Sequence, residues 1–275
     1  MFGTSDFKVH EKNGFEYLHI ATEASNAQNL ILLHGMFGGL SNYDPLLKQI
    51  QGYTIFVPKI PIYELGMREI SISRLTEWLR SFCEALDIKN PVLLGNSMGG
   101  HLALDYAQKY QDDVAALVLT GSSGLLEKDF GSTFPRRKDR DFIRKQANLT
   151  FYEDLIDDTV MDEIMTVVKS PSKLTNLLAL TRDTHSYNME EHLPKIKQKV
   201  LLVWGRQDEI TPPKVAHMFL EKLPDAELHW IDKCGHAPMM EHPEKFASLL
   251  KDFLIRLENN ANSQTSHYEK DRPHL

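Results

Sequence analysis

Gly95-Asn96-Ser97-Met98-Gly99 places one serine among small residues, where the apolar run Pro91–Leu94 gives way to helical spacing at Leu102, Ala103 and Tyr106. A serine hydroxyl is a weak nucleophile at neutral pH and needs an imidazole within reach to take its proton. A tight turn out of a strand would hold Ser97 exposed, and the flanking glycines remove side chains that would collide there. The free amides of a following helix's first turn favour negative charge developing beside the serine. Two other residues complete such chemistry. His236, in "DKCGHAPMMEHPEKF", follows the last apolar run; His242 is its nearest competitor. Asp208, in "VWGRQDEITPP", could set the tautomer of the histidine and stabilise its imidazolium. Glu209 and Asp232 are alternatives, and Asp208 could equally cap the helix that starts near Pro212. A tetrahedral intermediate also needs main-chain N–H donors. "HGMFGG", His34–Gly39, supplies the Met36 amide, and the Met98 amide follows the nucleophile. His34 reads as a brace for that loop rather than a base.

These groups must be brought together by the elements around them. Strand patterns occur at Phe15–Ala21, Asn29–Gly35, Tyr53–Pro61, Pro91–Gly95, Val114–Gly124, "KVLLVWG" and "AELHWID". Amphipathic helices fall between them: Ile72–Ile88 with Leu75, Trp78, Leu79, Phe82 and Leu86 on one face, Met98 to about Tyr110, "PPKVAHMFLEKLP" and "PEKFASLLKDFLIRLE". Continuous apolar strands alternating with helices predict an α/β fold with a mainly parallel central sheet flanked by helices. In such a sheet, ligands bind at the carboxyl ends of the strands, where each candidate residue lies. Residues 125–197 break the rhythm with three helical patterns, "DRDFIRKQANL", "DDTVMDEIMTVVKS" and "PSKLTNLLALTRDTHSYN", and read as a helical lid insertion. The expected organisation is thus a core of 1–124 and 198–258, a lid of 125–197, and a polar, disordered tail of 259–275.

Composition narrows the partners. A formal net charge of −7 over 275 residues, with no long basic stripe, argues against nucleic-acid binding. No basic start precedes an apolar run at the N-terminus, and no segment approaches the roughly 20 apolar residues of a membrane helix. Two cysteines, Cys83 in a helical pattern and Cys234 beside the candidate histidine, suit a reducing cytoplasm without requiring a disulfide. Metal-binding and dinucleotide motifs are missing from the sequence, so the expectation is no cofactor and no metal. The partner expected is a small-molecule substrate, with homo-oligomerisation left open.

"HGMFGG", "GNSMGG", "WGRQDEITP" and "CGHAPMMEHPEKF", in that order, resemble the α/β-hydrolase superfamily over about Phe15–Leu257. The order Ser, acid, His is that family's order. The resemblance implies Ser97 as nucleophile, Asp208 as acid, His236 as base, and Met36 and Met98 as the oxyanion-hole amides. Serine at the elbow separates the chain from branches that use aspartate there, the haloalkane dehalogenases and epoxide hydrolases. "GNSMGG" resembles the elbow of carbon–carbon bond hydrolases acting on ring-cleavage enol acids, in which the Asn96 position helps bind substrate. Against that, Ala237-Pro238 follows the histidine where that group usually has tryptophan, and no lid arginine aligns with a carboxylate-binding one. Arg182 and the cluster Arg136–Arg140 are the candidates, although a mixed charge run is usually a solvated face. The expectation is therefore cleavage of carboxylic esters or thioesters, with carbon–carbon hydrolysis second and a slow-turnover small-molecule receptor as a further alternative. Phe37, Phe134 and Phe142, with Phe130, Met161 and Met165, are the expected apolar pocket.

Overall fold

The computed structural model of the chain describes residues 5–23, 27–66, 69–127 and 136–270, the side chains of 261–270 excepted. Eight strands form one sheet: β1 (Val9–Lys12), β2 (Phe15–Ile20), β3 (Asn29–Leu33), β4 (Thr54–Pro58), β5 (Val92–Asn96), β6 (Ala116–Thr120), β7 (Lys199–Gly205) and β8 (Ala226–Ile231). Their order is β1-β2-β4-β3-β5-β6-β7-β8, parallel from β4 to β8 and antiparallel in the β1–β2–β4 corner. The strand β1 has no counterpart in the sequence reading. It is short and mostly exposed, so it lacks an apolar signature. The signal available was the Asn13-Gly14 turn, both residues at positive φ (54° and 80°), which is what a tight hairpin needs.

The continuous apolar strands follow from a sheet covered on both faces. Successive side chains of β3 alternate between two cores: Ile31 and Leu33 enter one, Leu30 and Leu32 the other. β7 does the same, with Val200, Leu202 and Trp204 against Leu201 and Val203. The first core is closed by α2 (Ile72–Ala85), α3 (Met98–Lys109) and α7 (Pro213–Lys222), through Leu75, Leu79, Phe82, Leu102, Tyr106 and Phe219. The second is closed by α1 (Asp44–Leu47), α8 (Pro238–Glu241) and α9 (Pro243–Lys270), through Leu46, Met239, Phe246, Leu250 and Phe253. No helix among the described residues is long and apolar enough to cross a membrane.

Between β6 and β7 lie α4 (Arg140–Ala147), α5 (Asp158–Lys169) and α6 (Pro171–Ser186), at the three helical patterns of the insertion. Asp139 and Asp157 accept from the Phe142 and Val160 amides and start α4 and α5. The insertion is tied down along its length. Asp183 accepts from the Ile72 amide at 2.7 Å, and Tyr187 Oη donates to the buried Asp105 at 2.5 Å. The structure describes helix through residue 270, inside the stretch expected as a polar tail. α9 continues past Asn259 to Lys270, because no glycine or proline interrupts the chain from Glu244 to Arg272.

Candidate active site

Ser97 closes β5 and precedes the first residue of α3 with φ 56° and ψ −122°, a conformation that costs free energy for a non-glycine residue. It persists because the backbone around it is over-determined. The Ser97 amide donates to Thr120 O at 3.1 Å, while its carbonyl accepts from Gly100 N, His101 N and Ser123 N at 2.9, 3.2 and 3.1 Å. The glycine two residues on is required by close approach: a Cβ on Gly99 would lie 2.0 Å from the Leu33 carbonyl oxygen. Only a glycine lets α3 start that close to β3.

His236 lies in the loop after β8. Its Nδ1 is 3.1 and 3.0 Å from the two Asp208 oxygens, both residues being buried. Asp208 sits after β7 and accepts from Ile210 N and Thr211 N at 2.9 Å and from Thr211 Oγ1 at 2.8 Å. The carboxylate therefore organises its own loop and the imidazole together; α7 begins at Pro213 with no side-chain cap. Of the alternatives, Asp232 pairs with Arg206 at the surface, Glu209 is exposed, and His242 binds the Lys233 carbonyl. With Nδ1 turned to Asp208, His236 Nε2 is left buried and without a hydrogen-bond partner among the described residues. Ser97 and His236 line the same cavity, of about 150 Å³.

The oxyanion-loop candidate Met36 lines this cavity, in a turn closed by Gly38 N donating to Gly35 O at 2.9 Å. The loop is held from three sides. Tyr63 Oη donates to Met36 O at 2.9 Å, and Thr181 Oγ1 of α6 lies 3.6 Å from Met36 Sδ. His34 Nδ1 is 2.9 Å from Gly35 O, and its Nε2 accepts from Ile60 N at 3.1 Å. Burial lowers the His34 pKa to about 4, which keeps the ring neutral and able to make both bonds. Met98 opens α3, where a helix leaves its first amides unpaired; its side chain lies in the core and not on the cavity wall.

Phe37 and Asn96 line the cavity. Asn96 is more constrained than a ligand contact would be. Its Nδ2 donates to Thr120 O and His236 O at 3.0 and 2.9 Å, so both amide hydrogens hold the histidine loop against β6. Phe142 is not on the wall. The face of α4 that reaches the cavity is Ile143, Gln146 and Ala147, and Phe142 lies beside it under the Arg136 guanidinium, 3.9 Å from the ring centroid. Met161 and Met165 pack in the second core instead. Phe134 and Phe130 lie outside the described residues. Within the Arg136–Arg140 run, Arg136 pairs with Asp139 and Arg140 with Asp158 and Asp162; Arg182 is exposed. No lysine or arginine lines the cavity among the described residues. Cys83 and Cys234 are free and buried, and no group of potential metal ligands occurs among the described residues.

Several residues of the site escaped the sequence reading. Thr211 lies 3.3 Å from His236 Nδ1 as well as bonding Asp208. Glu241 of α8 accepts from the amides of Gly235, Ala237 and Tyr152, and so joins the histidine loop to the insertion. From the same side, Thr150 O accepts the His236 amide at 2.7 Å. Glu127 and His185 line the cavity from the two ends of the insertion. Glu241 carried a weak signal, a carboxylate five residues after the histidine; a lone Glu127 carried none.

The sheet, the strained serine and the Asp208–His236 pair define a hydrolase of the α/β type. The sequence model of the alpha/beta hydrolase family matches residues 30–249, and the chain belongs to that family. The chain is 26% identical over 278 residues to a 2-hydroxy-6-oxononadienedioate/2-hydroxy-6-oxononatrienedioate hydrolase of Comamonas testosteroni, covering 92% of this chain and 93% of that protein. It is 24% identical to a 2-hydroxy-6-oxo-6-phenylhexa-2,4-dienoate hydrolase of Burkholderia cepacia over the same shares. Among solved structures, an alpha/beta hydrolase enzyme from a metagenome of lagoon sediments superposes with a TM-score of 0.75 at 34% identity, covering 91% of this chain and 99% of that one. These relatives overturn the expectation of ester or thioester cleavage. The two relatives with named substrates act on 2-hydroxy-6-oxo dienoates, compounds that contain no ester. The motifs around Ser97, Asp208 and His236 could not separate the two reactions, because an ester and a ketone both present a carbonyl carbon to a nucleophile.

Proposed function

We propose that the protein hydrolyses a carbon–carbon bond beside a ketone, in a 2-hydroxy-6-oxo dienoate, with Ser97 as nucleophile, His236 as base and Asp208 as the acid that orients it. The observation that carries the machinery is the His236–Asp208 contact at 3.0–3.1 Å, with Nε2 buried and unpartnered among the described residues and both His236 and Ser97 lining one cavity. The substrate class comes from the relatives' names. The substrate's 2-hydroxyl proton is first transferred to C5, giving the 2-keto tautomer with a CH2 at C5; His236 then takes the Ser97 proton as Oγ bonds to the C6 carbonyl carbon. The Met36 and Met98 amides hold the resulting oxyanion. When the carbonyl re-forms, the C5–C6 bond breaks, and its electron pair is delocalised along the unsaturated acid as a dienolate. His236 returns the proton to that fragment, leaving an acyl-Ser97. Water, deprotonated by His236, then releases a carboxylic acid. One water is consumed, and the products are that acid and a 2-hydroxydienoate.

In this reading residues 125–197 act as the lid over a core of 1–124 and 198–258. The lid's main chain at Thr150 and the Glu241 contacts brace the base as well as cover it. The test is the loss of the conjugated chromophore of 2-hydroxy-6-oxo-6-phenylhexa-2,4-dienoate with release of benzoate. Ser97→Ala is expected to lower kcat by at least about a thousandfold. Full turnover by that variant would refute the assignment.

A further inference from the structure

One wall of the cavity carries a carboxylate that the chemistry above does not use. Glu127 follows β6 at the start of the insertion, and its side chain is only 10% exposed. Its Oε2 accepts from Ser123 Oγ at 2.6 Å, and the Ser123 amide in turn donates to Ser97 O at 3.1 Å, so the carboxylate is tied to the nucleophile's turn by two hydrogen bonds. Its Oε1 is buried and has no hydrogen-bond partner among the described residues. Among the described residues, His185 Nε2 of α6 lies 3.7 Å from Oε1, too far for a hydrogen bond. Buried acceptors are ordinarily satisfied, and one left open on a cavity wall is where a ligand's donor would be matched. The rest of the insertion's wall is largely apolar, with Ile143, Phe151, Ile164, Val168 and Leu177, and no lysine or arginine lines the cavity among the described residues.

We propose that Glu127 is a specificity residue: Oε1 accepts a hydrogen bond from a hydroxyl on the ketone-side arm of the substrate, and the carboxylate rejects an arm that ends in a second carboxyl group. The proposal rests on the carbon–carbon reading for the reaction but not for the binding preference. It divides the substrates of the relatives. An aryl ketone arm fits the apolar wall, a hydroxyaryl arm also meets Glu127, and the dioate arm meets a carboxylate on a wall that holds no lysine or arginine among the described residues.

The binding arm uses the Ser97→Ala protein and ligands that lack the scissile bond: acetophenone, 3- and 4-hydroxyacetophenone, and 4-carboxyacetophenone, with Kd from ligand-observed NMR. One hydroxy isomer is expected to bind at least fivefold tighter than the parent, and the carboxy form at least tenfold weaker. Adding Glu127→Met should abolish the hydroxyl preference, and adding Glu127→Gln should narrow the carboxyl penalty while keeping an acceptor; melting curves establish that both variants are folded. The kinetic arm compares kcat/KM of the active enzyme on 2-hydroxy-6-oxo-6-phenylhexa-2,4-dienoate and 2-hydroxy-6-oxononadienedioate. A preference of tenfold or more for the phenyl substrate, reduced by Glu127→Gln, supports the proposal. Hydroxy, parent and carboxy ligands that bind alike, or preferences that Glu127→Met leaves unchanged, overturn it. If neither dienoate is turned over, the carbon–carbon reading fails, and the ketone affinities still judge Glu127.

Discussion

Asp208 is surrounded by donors only: two main-chain amides, the Thr211 hydroxyl and the His236 ring. A carboxylate can accept from all of them, and in the proposed mechanism this arrangement holds the His236 proton on Nδ1 and leaves Nε2 to act on Ser97. Asparagine would place an NH2 group against one of these donors. The least costly relief is for His236 to flip its tautomer, which puts a proton on the nitrogen that must receive the serine's. If Asp208 plays the proposed role, Asp208→Asn is expected to lower kcat by about ten-thousandfold with little change in melting temperature, as for a triad acid. Single-turnover kinetics beside a thermal melt would measure both. A loss of fold that matched the loss of rate would mean the residue holds the loop and not the tautomer.

Between elements, the histidine loop is gripped by α8 below and the insertion beside it. Glu241 gathers the amides of Gly235, Ala237 and Tyr152, and Thr150 O takes the amide of His236 itself. The Gly235 and Ala237 bonds are part-buried and the Tyr152 bond is exposed, so water takes over part of what Glu241 gives and the loss is about 1–3 kcal/mol in all. Glu241→Ala should lower the melting temperature by roughly 5 °C, at about 2–4 °C per kcal/mol for a chain of this size. It should also reduce kcat about tenfold with little change in KM, since the loop carries the base and not the substrate wall. Steady-state kinetics well below the melting point test this. An unchanged kcat would show that Thr150 and Asp208 suffice to place the histidine.

At the scale of the molecule, burial makes the fold sensitive to acid. His34 and His101 are fully enclosed, one beneath the Met36 loop and the other inside α3, where neither ring nitrogen has a hydrogen-bond partner among the described residues. Desolvation lowers both pKa values from 6.5 to about 4. The unfolded chain thus binds these protons at a higher pH than the native one. Their contribution is complete above pH 6.5 and is lost as pH falls from 6.5 to about 4, at about 1.4 kcal/mol per unit for each ring. Urea midpoints at pH 7, 6 and 5 should fall accordingly. Replacing His101 with phenylalanine should flatten the slope by one ring's share, and an unaltered slope would place the acid sensitivity elsewhere.

The sequence by itself determined the alternation of strands and helices, the insertion between β6 and β7, and the places in the chain of Ser97, Asp208 and His236. These are local properties: periodicity of apolar residues, glycines where backbones meet, and polar residues that follow strand ends. The hairpin strand β1 escaped because it is short and mostly exposed, and the length of α9 because the sequence of its last turns, Ala261–Lys270, carries no apolar periodicity. Which side chains share a cavity was decided by the tertiary structure alone. The azimuth of α4 sends Ile143 and Ala147 inward and Phe142 under Arg136, a difference of one position that spacing does not resolve. The crossing of the chain from β6 into the insertion carries Glu127 back to the serine's turn, and the packing of β5 against β6 commits the Asn96 amide to the main chain. The identity of the bond that is cut lies beyond the triad motif, since ester and ketone carbonyls ask the same first step of Ser97, and the shape and charge of the surrounding wall decide what can follow.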